Sequence, residues 1–110
     1  RQFLGYLDFT LNKAKGTLKR ENLALQTTQK DKILSIKLKT DAKLKIDVLA
    51  NSKHIGSCEM TGNDDYQVVE INLRETNWKG LIRSIDFKIE GKKGATIAMD
   101  YIHLKRQYIE

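Results

Sequence analysis

Two neighbouring stretches decide the reading: Leu34-Ser35-Ile36-Lys37-Leu38-Lys39 and Leu44-Lys45-Ile46-Asp47-Val48. In both, aliphatic residues alternate one for one with polar ones. Successive side chains of a strand point to opposite faces, so this period describes strands with one buried and one solvated face. The pattern continues outward. Val69, Ile71 and Leu73 alternate with Glu70, Asn72 and Arg74, and Ile85, Phe87 and Ile89 with Asp86, Lys88 and Glu90. No window carries an apolar stripe of helical period over three turns.

Polar, turn-rich segments separate these runs: Thr40-Asp41-Ala42, Asn51-Ser52-Lys53, Thr61–Asp65, Asn77-Trp78-Lys79-Gly80 and Gly91-Lys92-Lys93-Gly94. Thr40-Asp41-Ala42 and Gly91–Gly94 read as hairpin turns. Eight or nine short strands follow, near Tyr6–Leu11, Leu23–Thr27, Ile33–Lys39, Lys43–Ala50, His54–Met60, Gln67–Leu73, Leu81–Glu90 and Thr96–Lys105, with a small extra one near Thr17–Lys19. Even spacing of short strands predicts an all-β antiparallel sandwich or barrel. Its expected core is Leu34, Ile36, Leu38, Leu44, Ile46, Val48, Val69, Ile71, Leu73, Ile85, Phe87, Ile89, Ile97 and Met99. The last strand differs, because Ile97–Leu104 carries apolar residues on both faces. It is either covered on both sides or bulged near Asp100.

The 110 residues make one domain, spanning 1–110. No apolar run approaches the ~18–20 residues of a membrane helix. Arg1-Gln2-Phe3-Leu4-Gly5 lacks the pattern of a signal peptide, so the expectation is a mature fragment or a domain excised from a larger protein. With one cysteine, an internal disulfide and a Cys-x-x-Cys zinc site are excluded.

The net charge of +6 is uneven: residues 1–50 hold 11 Lys or Arg against 5 Asp or Glu, and residues 51–110 hold 9 of each. A hairpin at Thr40–Ala42 would gather Lys37, Lys39, Lys43 and Lys45 into one patch that attracts polyanions. The alternative is a strand surface whose lysines discourage edge pairing. The patch holds lysine without interleaved arginines or aromatics, and Asp41 and Asp47 interrupt it, which disfavours nucleic acid.

Catalytic groupings are missing. The two histidines, His54 and His103, have no metal-ligand spacing. Cys58 and His54 are four residues apart, roughly 13 Å along a strand, too far for a dyad. No sequence feature pairs two carboxylates as a glycosidase needs. The expectation is no enzyme. Among the aromatics, Tyr66 follows the polar loop Thr61–Asp65, and Trp78 lies in the turn before Gly80. Aromatic rings stack on the C–H faces of sugars, so Tyr66 and Trp78 are candidate platforms, with Asn63, Asp64, Asp65 and Asn77 as hydrogen-bond partners. The alternative for Trp78 is that it closes the end of the core.

An ordered series of motifs points further: Asp47–Gly56, Thr61-Gly62, Tyr66-Gln67-Val68-Val69, Gly80-Leu81-Ile82, Phe87-Lys88-Ile89-Glu90-Gly91 and Met99-Asp100-Tyr101-Ile102-His103-Leu104. From Leu34 to Leu104 this resembles the galactose-binding-like β-sandwiches, carbohydrate-binding module family 6 of bacterial glycoside hydrolases most of all. The closing Asp100-Tyr101-Ile102 is its most specific piece. The resemblance implies a two-sheet jelly roll without catalysis. It also implies polysaccharide or oligosaccharide as ligand, a parent catalytic domain as partner, and a secreted, periplasmic or cell-surface bacterial location. A structural calcium is common in the family, and it makes Asp100 a candidate metal ligand. Two departures stand out. The Thr-Gly loop lacks the usual tryptophan after its glycines, leaving Tyr66. Ala98 also stands where sugar-binding members often place asparagine.

Overall fold

The computed structural model describes residues 2–4, 6–27, 31–63, 65–73 and 80–106. The described residues form eleven strands and no helix: β1 (Gln2–Leu4), β2 (Leu7–Thr10), β3 (Lys15–Arg20), β4 (Leu25–Thr27), β5 (Asp31–Thr40), β6 (Leu44–Ala50), β7 (Lys53–Met60), β8 (Gln67–Asn72), β9 (Gly80–Ile82), β10 (Ile85–Glu90) and β11 (Thr96–Arg106). One antiparallel sheet of five strands runs β1-β11-β5-β8, with β2 also on β11. A second of four runs β3-β10-β6-β7, and β4 pairs with β9 in a two-stranded ribbon.

The alternating aliphatics meet between the two main sheets. Leu34, Ile36, Leu38, Ile97, Met99 and Ile102 come from the five-stranded sheet, and Leu44, Ile46, Val48, Ile85, Phe87 and Ile89 from the four-stranded one. Every expected core residue is buried except Val69, which is half-buried and packs against the rest. Leu11, Leu25, Ile55, Met60, Ile82, Ala95 and Leu104 join them. Each fully buried aliphatic or Phe side chain contributes ~1.5–3 kcal/mol.

Both expected hairpins are instead arches between sheets. Thr40-Asp41-Ala42 leads from β5 in one sheet to β6 in the other, and Gly91–Gly94 leads from β10 back to β11. In the first arch the Thr40 hydroxyl and the Ala42 backbone bond each other, and the Asp41 carboxylate accepts from the Thr96 amide at 2.9 Å. That amide holds the Asp41 carboxyl below its ordinary value. Its contribution to stability is therefore complete above the unfolded value of about 4 and is lost as pH falls through the lower folded value. Asp41→Asn should flatten the decline of the urea midpoint in that acid range. A decline identical to the parent's would contradict this.

The true hairpin is β6–β7. Asn51 and Ser52 have φ of 49° and 66°, as the two central positions of a type I′ turn require. The Asn51 side chain also accepts from the amides of Arg83 and Ser84 and donates to the Leu81 carbonyl. It thereby pins the corner at which the expected single strand Leu81–Glu90 breaks into β9 and β10. The ambiguity in the last strand resolves as a bulge. Met99 pairs with Leu38 and Tyr101 with Lys37, so Asp100 is the extra residue. Met99 and Ile102 therefore both face the core, while Tyr101 and His103 face outward.

The two open sides of the sandwich differ. Between β7 and β8 the sheets close tightly, because Gly56 has no side chain; a Cβ there would collide with Ile71 Cγ2. Between the edge strands β2 and β3 they stay apart.

Candidate functional site

The outward faces of the two sheets have different chemistry. On the four-stranded sheet, cross-strand register sets Lys15, Glu90, Lys45 and Glu59 in one row. The row beside it runs Thr17, Lys88, Asp47 and Ser57. Opposite charges face each other directly, the pairing that stabilises a solvated sheet. Lys43 and Lys45 belong to this sheet's side, whereas Lys37 and Lys39 point outward from β5 in the other. The four-lysine patch therefore does not exist. It required a β5–β6 hairpin, and the arch sends the two strands to opposite layers.

The five-stranded sheet presents aromatics among its charges. Tyr6, just before β2, is 64% exposed, Tyr66, just before β8, is 42% exposed, and Val68 is 53% exposed. The Tyr66 ring lies within 5.5 Å of the Lys37 ammonium and 5.1 Å of the Lys39 ammonium, close enough for cation–π attraction to hold it against β5. Tyr6 donates to Asp8 Oδ2 at 2.7 Å. That bond, followed by burial, the Asp8 charge and Tyr66, raises the Tyr6 phenol to about 12. Tyr6, Asp8, Thr10, Thr96, Ala98 and Lys39 enclose a depression of about 400 Å³ on this face. Ala98 is the small residue on β11 that leaves the space, with a carboxylate on one side strand and an ammonium on the other.

Further along the face, Tyr101 and His103 stack with centroids 4.2 Å apart. Ser35 stands in register between His103 and Glu70. Glu70 on β8 reaches Lys105 on β11 at 3.5 Å, so this pair spans β5, and a small residue beneath lets it cross. Ser35 is 0% exposed, and its hydroxyl has no hydrogen-bond partner among the described residues. It is neither bonded to His103 nor reachable from solvent, so the row Ser35–His103–Glu70 does not work as a nucleophile and base. An orphaned buried hydroxyl costs about 1–3 kcal/mol. Ser35→Ala should accordingly raise unfolding stability by ~1 kcal/mol in urea titrations, and a loss of that size would contradict the assignment.

The Cys58 thiol is half-buried, and burial, then Asp47, push it up to about 11. A bulge between Val48 and Leu49 in the β6–β7 register turns His54 outward to Asp47, at 3.3 Å, while Cys58 packs against the core. The two are therefore separated by orientation as well as by distance.

Asp100 sits on the bulge with its carboxylate 3.6 Å from the Lys37 ammonium. No group of three or more His, Cys, Asp or Glu able to hold a metal occurs among the described residues. Among the described residues the Asp100 carboxylate thus faces a cation and is joined by no cluster of acidic side chains. Of the rim residues, Asn63 accepts from the Asp65 amide at 3.2 Å and from the Gln67 side chain at 3.1 Å, which shapes the loop leading into Tyr66. Asp65 is exposed. Asp64, Asn77 and Trp78 lie outside the described residues.

No family model and no curated protein matches the sequence. Solved structures do match. A family 28 carbohydrate-binding module specific for non-crystalline cellulose superimposes with a TM-score of 0.65 at 11% identity, over 93% of this chain and 75% of that one. The module CBM27-1 of Caldicellulosiruptor saccharolyticus, solved with mannohexaose, gives 0.63 at 16% identity, over 94% and 75%. The module CsCBM6-3 of Clostridium stercorarium, solved with cellobiose, gives 0.61 at 13% identity, over 97% and 82%. This chain shares its β-sandwich fold with these modules. The two-sheet antiparallel β-sandwich implied by the motif series is thus the architecture this chain adopts. Identities this low speak for architecture, and function rests on the residues.

The depression around Ala98 escaped sequence reasoning. Tyr6 and Asp8 are two residues apart on one strand face, and an aromatic at a solvent-facing strand position was the available signal. Lys39 was singled out, but for a different patch.

Proposed function

We propose that this chain is a non-catalytic carbohydrate-binding module of a secreted bacterial polysaccharide-degrading enzyme, and that it takes its glycan on the outer face of the five-stranded sheet. The observation that carries the reading is the pair of exposed tyrosines, Tyr6 and Tyr66, beside a depression with polar walls on a sheet of this fold. A pyranose ring has two requirements, a flat apolar partner for its C–H face and donors and acceptors around its rim. Tyr66 and Tyr6 supply the first. Asp8 accepts, Lys39 donates, and the hydroxyls of Thr10 and Thr96 do either. Asn63 and Asp65 beside Tyr66 extend the contact to neighbouring hydroxyls. An open face buries little of a ligand, so affinity is modest.

The test is calorimetric titration with soluble manno-, cello-, xylo- and galacto-oligosaccharides. At least one should bind, and Tyr66→Ala should weaken that binding about tenfold or more, equal to ~1.4 kcal/mol, with the fold intact by circular dichroism. Absence of binding across the panel would overturn the reading. So would binding indifferent to both Tyr66→Ala and Tyr6→Ala.

A further inference from the structure

Three described lysines lie on the outer face of the five-stranded sheet, and two of them are neutralised. The Lys37 ammonium lies 3.6 Å from the Asp100 carboxylate and the Lys105 ammonium 3.5 Å from that of Glu70. The third, Lys39, has no carboxylate within ion-pair distance among the described residues. Its ammonium sits 5.1 Å from the centroid of the Tyr66 ring, and the same side chain lines the depression over Ala98. Register gives that depression two unlike ends. Ala98 pairs with Asp8 on one side and Lys39 on the other, two strand spacings or roughly 10 Å apart at the backbone. The Asp8 carboxylate already accepts from the Tyr6 hydroxyl at 2.7 Å, and the Asp41 carboxylate from the amide of the lining residue Thr96 at 2.9 Å. Neither neutralises Lys39.

We infer, resting on the glycan-binding reading above, that the glycan taken on this face is an acidic one, and that a uronate sugar lies in the depression over Ala98 with its carboxylate at Lys39. A neutral sugar hydroxyl would meet the ammonium through an ordinary hydrogen bond. A carboxylate makes a charge-assisted bond with both partners ionised, roughly twice as strong. Lys39 is half-buried, so water screens the pair less than it would on an open surface. The net charge of +6 also favours the approach of an anion over longer range. At the other end of the depression Asp8 accepts from sugar hydroxyls and repels a carboxylate, which fixes which way round the acidic sugar lies.

The test uses the whole chain and pairs of oligosaccharides, equal in length and linkage, that differ only in carrying a hydroxymethyl or a carboxylate at C6: manno-oligosaccharides against mannuronate oligomers, and cello-oligosaccharides against their C6-carboxylate forms. In calorimetry at low salt, the acidic member of at least one pair should bind about fivefold or more tightly than its neutral counterpart. That ratio should shrink at about 0.5 M salt, where charges are screened. Lys39→Gln should bring the ratio close to one, and Lys39→Arg, which keeps the charge, should retain most of it. A ratio near one in the parent, a ratio indifferent to salt, or a ratio kept in Lys39→Gln would each overturn the proposal. So would an equal loss in Lys39→Arg, because position 39 would then act by supporting Tyr66 and not by its charge. Neutral binding without an acidic advantage sinks this proposal alone and leaves the glycan-binding reading standing, whereas no binding by either member of either pair overturns both.

Discussion

Phe87→Ala should reduce unfolding stability by about 3–5 kcal/mol, the cost of emptying a buried aromatic site that collapses only partly. Phe87 is 1% exposed. It lies on β10 between Leu18 of β3 and Val48 of β6 in cross-strand register, at the middle of the four-stranded sheet's inner face. Removing the ring takes contacts from three strands at once. A domain of this size has ~5–15 kcal/mol in total, so the loss is a large share of it. In urea the midpoint should fall sharply with little change in slope. Phe87→Leu keeps most of the volume and should retain most of the stability. A loss below about 1 kcal/mol for Phe87→Ala would mean that the two sheets do not pack as described.

The second large effect belongs to Gly62→Ala. A Cβ there would sit 2.5 Å from the N, Cα and C atoms of Ala42, all backbone and all inside the arch that carries the chain between sheets. No side chain can swing away to relieve the contact. Either the arch or the Thr61–Asp65 loop must move, at a cost of ~1–3 kcal/mol typical of overpacking. The loop is itself tied to the strand that follows it, because the Gln67 side chain donates to the Thr61 carbonyl at 2.6 Å and to Asn63. Tyr66 lies between these anchors. Gly62→Ala should therefore lower the unfolding midpoint and also weaken glycan binding, although Gly62 touches no ligand in the proposed arrangement. Ser57→Ala, an exposed change on the opposite sheet, should do neither. If Gly62→Ala matched the parent in both assays, the close approach to Ala42 would be wrong.

What could be read from the chain beforehand follows a physical divide. Alternation reports which face of a strand is apolar, so the inward sets on β5, β6, β8 and β10 were legible residue by residue. It carries no information about which sheet a strand joins. A tight hairpin and an arch both use short polar segments, and Thr40-Asp41-Ala42 suits either. What decides the matter is non-local: the Thr96 amide bound to Asp41 and the close approach of Gly62 to Ala42. The misplaced lysine patch followed from that one ambiguity.

The site was legible in part for a similar reason. Tyr66 stood out because it follows a polar loop. Asp8, Thr10, Thr96 and Lys39 are solvent-facing strand residues, and Tyr6 lies just before β2; each alone is indistinguishable from an ordinary wet sheet surface. They become a site only when β2, β11 and β5 are set side by side around Ala98. Asp100 carries the most specific motif, yet its role here is to form the bulge that lets Met99 and Ile102 both reach the core and to face Lys37.

The central claim is that the outer face of the five-stranded sheet is the ligand surface. Its most direct test is residue-resolved NMR during titration with whichever oligosaccharide binds in the calorimetric panel. The account predicts shifts concentrated at Tyr6, Asp8, Lys39, Tyr66 and Ala98, with Lys45, Asp47 and Lys88 on the opposite sheet unmoved. Shifts concentrated on that opposite sheet, or scattered without preference for either face, would contradict it.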